Sequence, residues 1–186
     1  KKLEDTTIIT CHHGNGCSMA AVKNGKVIDT TMGLTPLEGL MMGTRSGDLD
    51  PAAVLRLIEL GHSHEEVDKI LNKQSGLYGI GGINSGDMRD MMNAAADGNA
   101  QAELAIKMFV RRVIKYIGAY YVLLGGADAL VFTGGIGEYS LPIRQRIMEG
   151  LSALNIRIDN EKNNHCFGKK GVISTDCLLY TSDAAD

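Results

Sequence analysis

The chain has 186 residues, of which 44% are hydrophobic and 22% charged, and it carries a net charge of −3. These values suit an ordinary globular protein, one α/β domain or one lobe of a larger enzyme, and the charge gives no reason to expect nucleic acid or anionic lipid as partner. No apolar run approaches the ~20 residues needed to cross a bilayer, and Lys1-Lys2-Leu3-Glu4-Asp5 lacks the apolar core of a signal peptide, so a cytoplasmic protein acting on small molecules is expected. Cys11, Cys17, Cys166 and Cys177 follow no pairing pattern and fit free thiols in a reducing compartment.

Thr7-Ile8-Ile9-Thr10 is a β-branched run suited to a buried strand, and it ends in His12-His13-Gly14-Asn15-Gly16. Gly14, Asn15 and Gly16 tolerate positive φ and let a ligand approach the backbone. Consecutive N–H groups in such a turn can cradle an anion, with His12, His13 and Asn15 as side-chain donors. An ordinary hairpin turn is the alternative for this loop. Met19–Val22 and Lys26–Thr30 flank Asn24-Gly25, a signal for a two-residue type I′ hairpin, so the first three strands form an antiparallel meander. A strand this close to residue 1 also leads to the expectation of a missing upstream segment.

Residues 32–47 break every period with glycines and a proline yet carry Leu34, Leu37, Leu40, Met41 and Met42, which describes a long packed loop. Asp50-Pro51 opens a helix whose Val54, Leu55, Leu57 and Ile58 face a core and which ends at Gly61. Ser63 and Glu66 form a capping box for the next helix, whose Val67, Ile70 and Leu71 share a face. Gly79–Gly86 is too glycine-rich for regular structure, and Asp87 starts a further helix that ends near Gly98.

The longest helix runs from Ala100 to Leu124, with Glu103, Lys107, Arg111 and Lys115 on one solvated stripe and most other sides buried. Ala129–Thr133 has the character of a central strand covered on both faces, and Gly134-Gly135-Ile136-Gly137-Glu138 follows it at once. Ser140 caps a helix through Leu154, and Ile156–Ile158 and Val172–Ser174 close the sheet. The last ten residues, 177–186, continue no periodicity; they resemble the translation of a sequencing-library adapter and are set apart from the domain spanning 1–176.

Several chemistries fall away. Phe167-Gly168-Lys169-Lys170 lacks the first glycine and the hydroxyl of a Walker A loop, and Gly135-Ile136-Gly137 lacks the third glycine of a dinucleotide fingerprint. Cys11, His12, His13 and Cys17 crowd one strand end without a second ligand pair, which argues against zinc, and no metal ligand is assigned.

The loops taken together resemble the acetate kinase family of the acetate and sugar kinase and actin-like superfamily. His12-His13-Gly14-Asn15-Gly16 is similar to the family's H-L-G-N-G phosphate loop. Asp29-Thr30-Thr31-Met32-Gly33-Leu34-Thr35-Pro36-Leu37-Glu38-Gly39 is similar to its D-T-[ST]-M-G-[LF]-T-P-L-E-G signature, continued by Met42-Gly43-Thr44-Arg45-Ser46-Gly47-Asp48-Leu49-Asp50-Pro51. Asp87-Met88-Arg89 resembles the segment that packs on adenosine, and Phe132-Thr133-Gly134-Gly135-Ile136-Gly137-Glu138 the second nucleotide loop. The resemblance implies a ribonuclease-H-like, actin-like α/β fold with a mixed sheet flanked by helices.

It also implies reversible transfer of the γ-phosphate of ATP to acetate, giving ADP and acetyl phosphate with Mg2+. Such transfer needs charge neutralisation more than covalent help, and Arg45 is the candidate transition-state stabiliser because its fork can grip phosphoryl oxygens bidentately. A salt bridge to Asp48 or Asp50 is the alternative for Arg45. By the same matching, His12, His13, Gly14, Asn15 and Gly16 contact the phosphates, with His12 a donor. Asp87, Met88 and Arg89 hold ribose and adenine, though Asp87 is equally a plain N-cap, and Gly135, Ile136, Gly137, Glu138 and Tyr139 lie against the nucleotide.

Members of the family usually have Leu in place of His13 and Asn in place of Tyr139. The N-terminal domain, which brings the acid pocket, another arginine and a catalytic acid, is not in this chain, and the acidic magnesium ligand is expected beyond residue 176. The fragment alone is therefore expected to be inactive, and the full-length protein to dimerise through its long helix. A propionate or butyrate kinase and a non-catalytic nucleotide-binding module are the alternatives.

Overall fold

The alternation of apolar and polar residues places the first strands. In the computed structural model, which describes residues 2–175 and the backbone of 181–182, β1 (Thr7–His13) buries Ile9, Cys11 and His13. The next strand, β2 (Cys17–Lys23), pairs with it antiparallel and sets Ala21, Met19 and Cys17 directly opposite those three residues, so one face of the pair is continuous core. β3 (Lys26–Thr30) is the exposed edge strand, joined by Asn24 at φ 53° and Gly25 at φ 74°, the two left-handed residues of the expected hairpin.

The backbone then divides into two units, residues 32–109 forming one and residues 1–31 with 110–186 the other. Residues 32–50 contain no helix or strand, yet Leu40, Met41 and Met42 are buried. Gly39 N donates to the Asp48 carboxylate at 2.8 Å and Asp48 N donates to Gly39 O at 3.0 Å, which closes this loop on itself. α1 (Pro51–Glu59) has Asp50 as N-cap, bonded to Ala52 N at 2.9 Å, and Gly61 follows its end at φ 96°. No residue of α1 is buried, and Leu55 and Ile58 are 62% and 53% exposed. The expectation that Val54, Leu55, Leu57 and Ile58 all face a core is corrected: spacing fixes which side of a helix is apolar, not that something covers it.

α2 (His64–Lys73) starts with the expected capping box, Ser63 N donating to Glu66 Oε2 at 2.8 Å and Glu66 N to Ser63 Oγ at 3.3 Å. α3 (Gly76–Ile80) is a short helix that reaches into the stretch read as irregular; its first residue has φ 62° and a Cβ there would strike Met42 O. α4 (Met88–Ala96) and α5 (Ala100–Leu124) have the expected bounds, and the division between the units falls within α5. The charged stripe of α5 is present, but Leu104, Met108, Val122 and Leu123 are also exposed, so it is less enclosed than its composition suggests.

β4 (Ala129–Thr133) pairs parallel with β1, and its entry is pinned by Asp128, whose carboxylate accepts from Thr7 N at 3.0 Å while its own N–H donates to Thr7 O at 2.8 Å. After it come α6 (Gly134–Tyr139) and α7 (Leu141–Glu149). Ser140 makes no side-chain cap, and α7 stops at Glu149 rather than Leu154 because Gly150 ends it and a separate 3-10 turn at Ser152–Leu154 follows. α8 (Asn160–His165) was absent from the sequence reading because Asn-Glu-Lys-Asn-Asn-His has no apolar period.

β5 (Gly171–Val172) and β6 (Thr181–Ser182) complete a six-stranded sheet of order β3-β2-β1-β4-β6-β5. Ile158 meets Ser174 only in an isolated bridge. An antiparallel meander extended by a parallel strand, with helices packed on it, is the mixed sheet expected of the ribonuclease-H-like class. Of the tail set apart above, only the backbone of β6 is among the described residues, where it pairs with β4 and β5; the rest, with Cys177, lies outside them.

Candidate functional site

Gly14, Asn15 and Gly16 are the three-residue connection of the β1–β2 hairpin, so the turn is a hairpin turn whatever it binds. Gly14 N donates to Gly16 O at 3.1 Å and the Cys17 thiol to Gly14 O at 3.1 Å. None of the three uses the positive φ it could tolerate; the need for glycine is closeness, since a Cβ on Gly14 would lie 3.2 Å from Gly16 O. Asn15 and His12 are exposed, and His12 Nδ1 lies 2.9 Å from Thr133 Oγ1. His13 points the other way. The residue is fully buried, its ring 6.0 Å from Phe132, and desolvation, assisted by the neighbouring His12, lowers its pKa to about 3, so the imidazole is neutral.

The turn after β4 meets this loop backbone to backbone. Gly134 has φ 77°, and a Cβ on it would lie 2.8 Å from His13 O and 3.1 Å from Gly14 N. Two glycine bends 120 residues apart are thereby in contact, with His12 and Thr133 alongside. The stretch Gly134–Glu138, read as a loop, lies in the helix α6, which Gly134 enters at a left-handed φ and whose first N–H is capped by Glu138 Oε1 at 2.9 Å. Gly135 is exposed with open space where a Cβ would be, Ile136 is half-buried, and Gly137 and Glu138 are buried. Tyr139 is 52% exposed and packs edge-to-face on Phe167 at 5.2 Å.

One residue of this region was missed. Arg144 is fully buried and donates to Gly137 O, Glu138 O, Asn163 O, Cys166 O and Asn163 Oδ1 at 2.7–3.2 Å. Burial pushes its pKa below the usual arginine value, with Cys166 and Glu138 working against that, yet a guanidinium in such surroundings stays protonated. The signal was in the spacing: Arg144 shares the buried face of α7 with Ile147 and Met148, at i, i+3 and i+4.

The remaining candidates belong to residues 32–109. Arg45 sits on a tightly bonded backbone: Met42 N donates to Arg45 O, Ser46 N to Leu71 O and Ser75 N to Thr44 O, at 3.0–3.1 Å. Its side chain is held loosely. Nη1 lies 3.5 Å from both Pro36 O and Met42 Sδ, and among the described residues the guanidinium forms no ion pair with Asp48 or Asp50. Asp87 is the N-cap of α4, accepting from Arg89 N at 2.8 Å, and it grips the Arg89 side chain through Nε at 3.1 Å and Nη2 at 2.7 Å. The Arg89 hydrogen bonds hold the Asp87 carboxyl below the usual carboxylate range, against the opposing effect of burial. Met88 between them is buried. Among the described residues no cluster of three His, Cys, Asp or Glu is placed to hold a metal ion.

The model of the Acetokinase family matches residues 1–182. Acetate kinase of Clostridium novyi (strain NT) is 56% identical over 177 residues, 95% of this chain and 44% of that protein; acetate kinase of Lawsonia intracellularis is 54% identical over the same span, 43% of its length. Among solved structures, acetate kinase of Porphyromonas gingivalis superposes with a TM-score of 0.93 at 42% identity over 97% of this chain and 46% of that one. A propionate kinase of Francisella tularensis gives 0.91 at 43% identity over 98% and 47%. The chain spans about half the length of the relatives it matches.

Proposed function

Because this chain belongs to the acetokinase family, we propose that it forms the nucleotide-binding lobe of a phosphotransferase that converts ATP and acetate to ADP and acetyl phosphate, reversibly. The observation that carries the reading is the backbone contact between the bends at Gly14 and Gly134, with the exposed His12 beside Thr133. It brings two glycine bends together beside the exposed side chains of His12 and Asn15, which can donate to a phosphate, while Gly14 N and Gly134 N are already bonded to Gly16 O and Glu138 Oε1. His12, Gly14, Asn15 and Gly16 bind phosphate oxygens, the buried His13 supports the loop from behind, and Gly135, Ile136, Gly137, Glu138 and Tyr139 flank the nucleotide.

Arg45 stabilises the charge on the transferring phosphoryl group. Support for this role comes from a guanidinium whose donors are almost unused by the protein on a backbone that is firmly fixed. Asp87 and Arg89, already a rigid pair, contact ribose and adenine, with Met88 packing beneath them. ATP and ADP are the cofactors, and Mg2+ accompanies them in the family reaction. Among the described residues no group of three His, Cys, Asp or Glu is placed to hold it.

No helix among the described residues is long and apolar enough to cross a membrane, and we place the enzyme in the cytoplasm. The exposed Leu104, Met108, Val122 and Leu123 of α5 are the basis for proposing a homodimer in the complete enzyme, which sedimentation tests: a strict monomer refutes it. Residues 177–186 remain proposed as an appended tail, tested by cloning the gene from genomic DNA. The functional reading is tested by assaying the complete enzyme for acetyl phosphate trapped as the hydroxamate. Saturable dependence on ATP and acetate supports it, and no product with either acid sinks it. The isolated 186-residue chain is expected to give negligible turnover. Propionate is the second reading, kept because a propionate kinase of Francisella tularensis superposes at a TM-score of 0.91, and the ratio of kcat/KM for the two acids separates them.

A further inference from the structure

We propose that Arg144 is a positioning residue for the nucleotide site, acting through the carbonyl groups of Gly137 and Glu138 rather than by touching the ligand. The inference rests on the proposed nucleotide site. Arg144 has no exposed surface, so it cannot meet a substrate. All five of its N–H donors are used: Nε on Asn163 Oδ1 at 2.8 Å, Nη1 on Gly137 O and Glu138 O at 2.7 Å each, and Nη2 on Asn163 O at 3.2 Å and Cys166 O at 3.1 Å.

Four of those acceptors are backbone carbonyls at the ends of α6 and α8, the groups a helix leaves without partners and where its dipole favours a cation. No carboxylate is among the acceptors. The nearest candidate, Glu138, turns its side chain to the opposite end of α6 and bonds Gly134 N at 2.9 Å. Glu138 thus closes the first turn of α6 from within through its carboxylate on Gly134 N, while its carbonyl ties the other end to Arg144, and α6 cannot slide or rotate without breaking the Arg144 bonds. Gly168 N adds a bond to Glu138 O at 3.2 Å, and the Tyr139–Phe167 ring contact spans the same two segments. Arg144 therefore sets where Gly134, Gly135 and Tyr139 stand. Lysine at this position keeps the charge but has three donors and no planar fork, so it cannot satisfy all five acceptors.

The experiment compares the complete enzyme with Arg144→Lys and with Asn163→Ala, which removes one acceptor while leaving the cation in place. Two readouts are taken: amide hydrogen exchange across residues 134–140 without nucleotide, and steady-state kinetics with ATP and the acid varied separately. Faster exchange at 134–140 is expected in both variants. KM for ATP should rise about tenfold in R144K and about threefold in N163A, while kcat changes less than about threefold and KM for the acid stays put. Unchanged exchange in folded R144K overturns the proposal whether or not the enzyme is a kinase, and so does a lowered Tm with an unchanged KM for ATP. Should R144K not fold, the same two readouts on N163A decide the matter. A wild-type enzyme without saturable ATP dependence instead removes the functional reading and leaves the exchange result to judge Arg144.

Discussion

Arg144 and Arg45 are the same side chain in opposite settings. Around Arg144 five acceptors use every donor of a buried guanidinium; around Arg45 the backbone is bonded on both sides while the fork itself has two contacts at 3.5 Å. A saturated fork can only hold the protein together, whereas an unsaturated one on a rigid loop is available to something that is not protein. The same division separates neighbours in sequence: His13 is buried and His12 exposed, Gly134 is jammed against His13 O and Gly135 faces open space.

The sharpest way to break this contrast is Arg144→Met. It removes five hydrogen bonds from a closed site, leaving only Glu138 O and Asn163 O with a backbone donor each, from Gly168 N and Cys166 N, and the expected loss, read from urea unfolding, is on the order of 3–5 kcal/mol. A loss below ~1 kcal/mol would show that the bonds are incidental. Arg45→Ala should do the reverse, lowering kcat by about 10²-fold or more in the complete enzyme with Tm nearly unchanged. A large drop in Tm with kcat retained would assign Arg45 to the scaffold.

The glycine pair gives a smaller effect. Gly134→Ala combines a left-handed φ with a Cβ 2.8 Å from His13 O and should cost ~1–3 kcal/mol, while Gly135→Ala should cost nothing or stabilise α6 by up to ~1 kcal/mol. Equal effects in the two variants would mean that the bends are not in contact. The histidine pair adds a pH test. His13 titrates at about 3 in the fold and near its ordinary 6.5 when unfolded, so the unfolded chain takes up the proton first as pH falls. Its contribution is complete above pH 6.5 and is lost downward toward pH 3, by at most ~1.4 kcal/mol per pH unit. His13→Leu should flatten that slope; an acid unfolding curve indistinguishable from that of the unsubstituted protein would refute the burial of His13.

What was legible in the sequence was local. Asp50-Pro51, Ser63 with Glu66, Asn24-Gly25 and the bounds of α5 each depend on neighbours within a few residues, and each appears as expected. The loop motifs likewise marked where the glycine bends lie. What could not be read depends on distant partners. The glycines of α6 suggested a loop because the Glu138 carboxylate that completes the helix is a side chain folding back, and α8 is polar because Arg144, not an apolar face, anchors it. Leu55 and Ile58 looked like core, and only coordinates reveal that their side of α1 is open.

The parallel pairing of β1 with β4 has a cost in time. Thr7 and Asp128 join across 121 positions, so during synthesis the meander of β1–β3 must wait, one side of β1 unsatisfied, until most of the chain has left the ribosome. Early collapse of residues 32–109 would bring their two ends together and shorten that wait. Substitutions that loosen this inserted segment should therefore slow closure of the sheet and lower the yield of soluble protein, even where the finished enzyme is as stable as before.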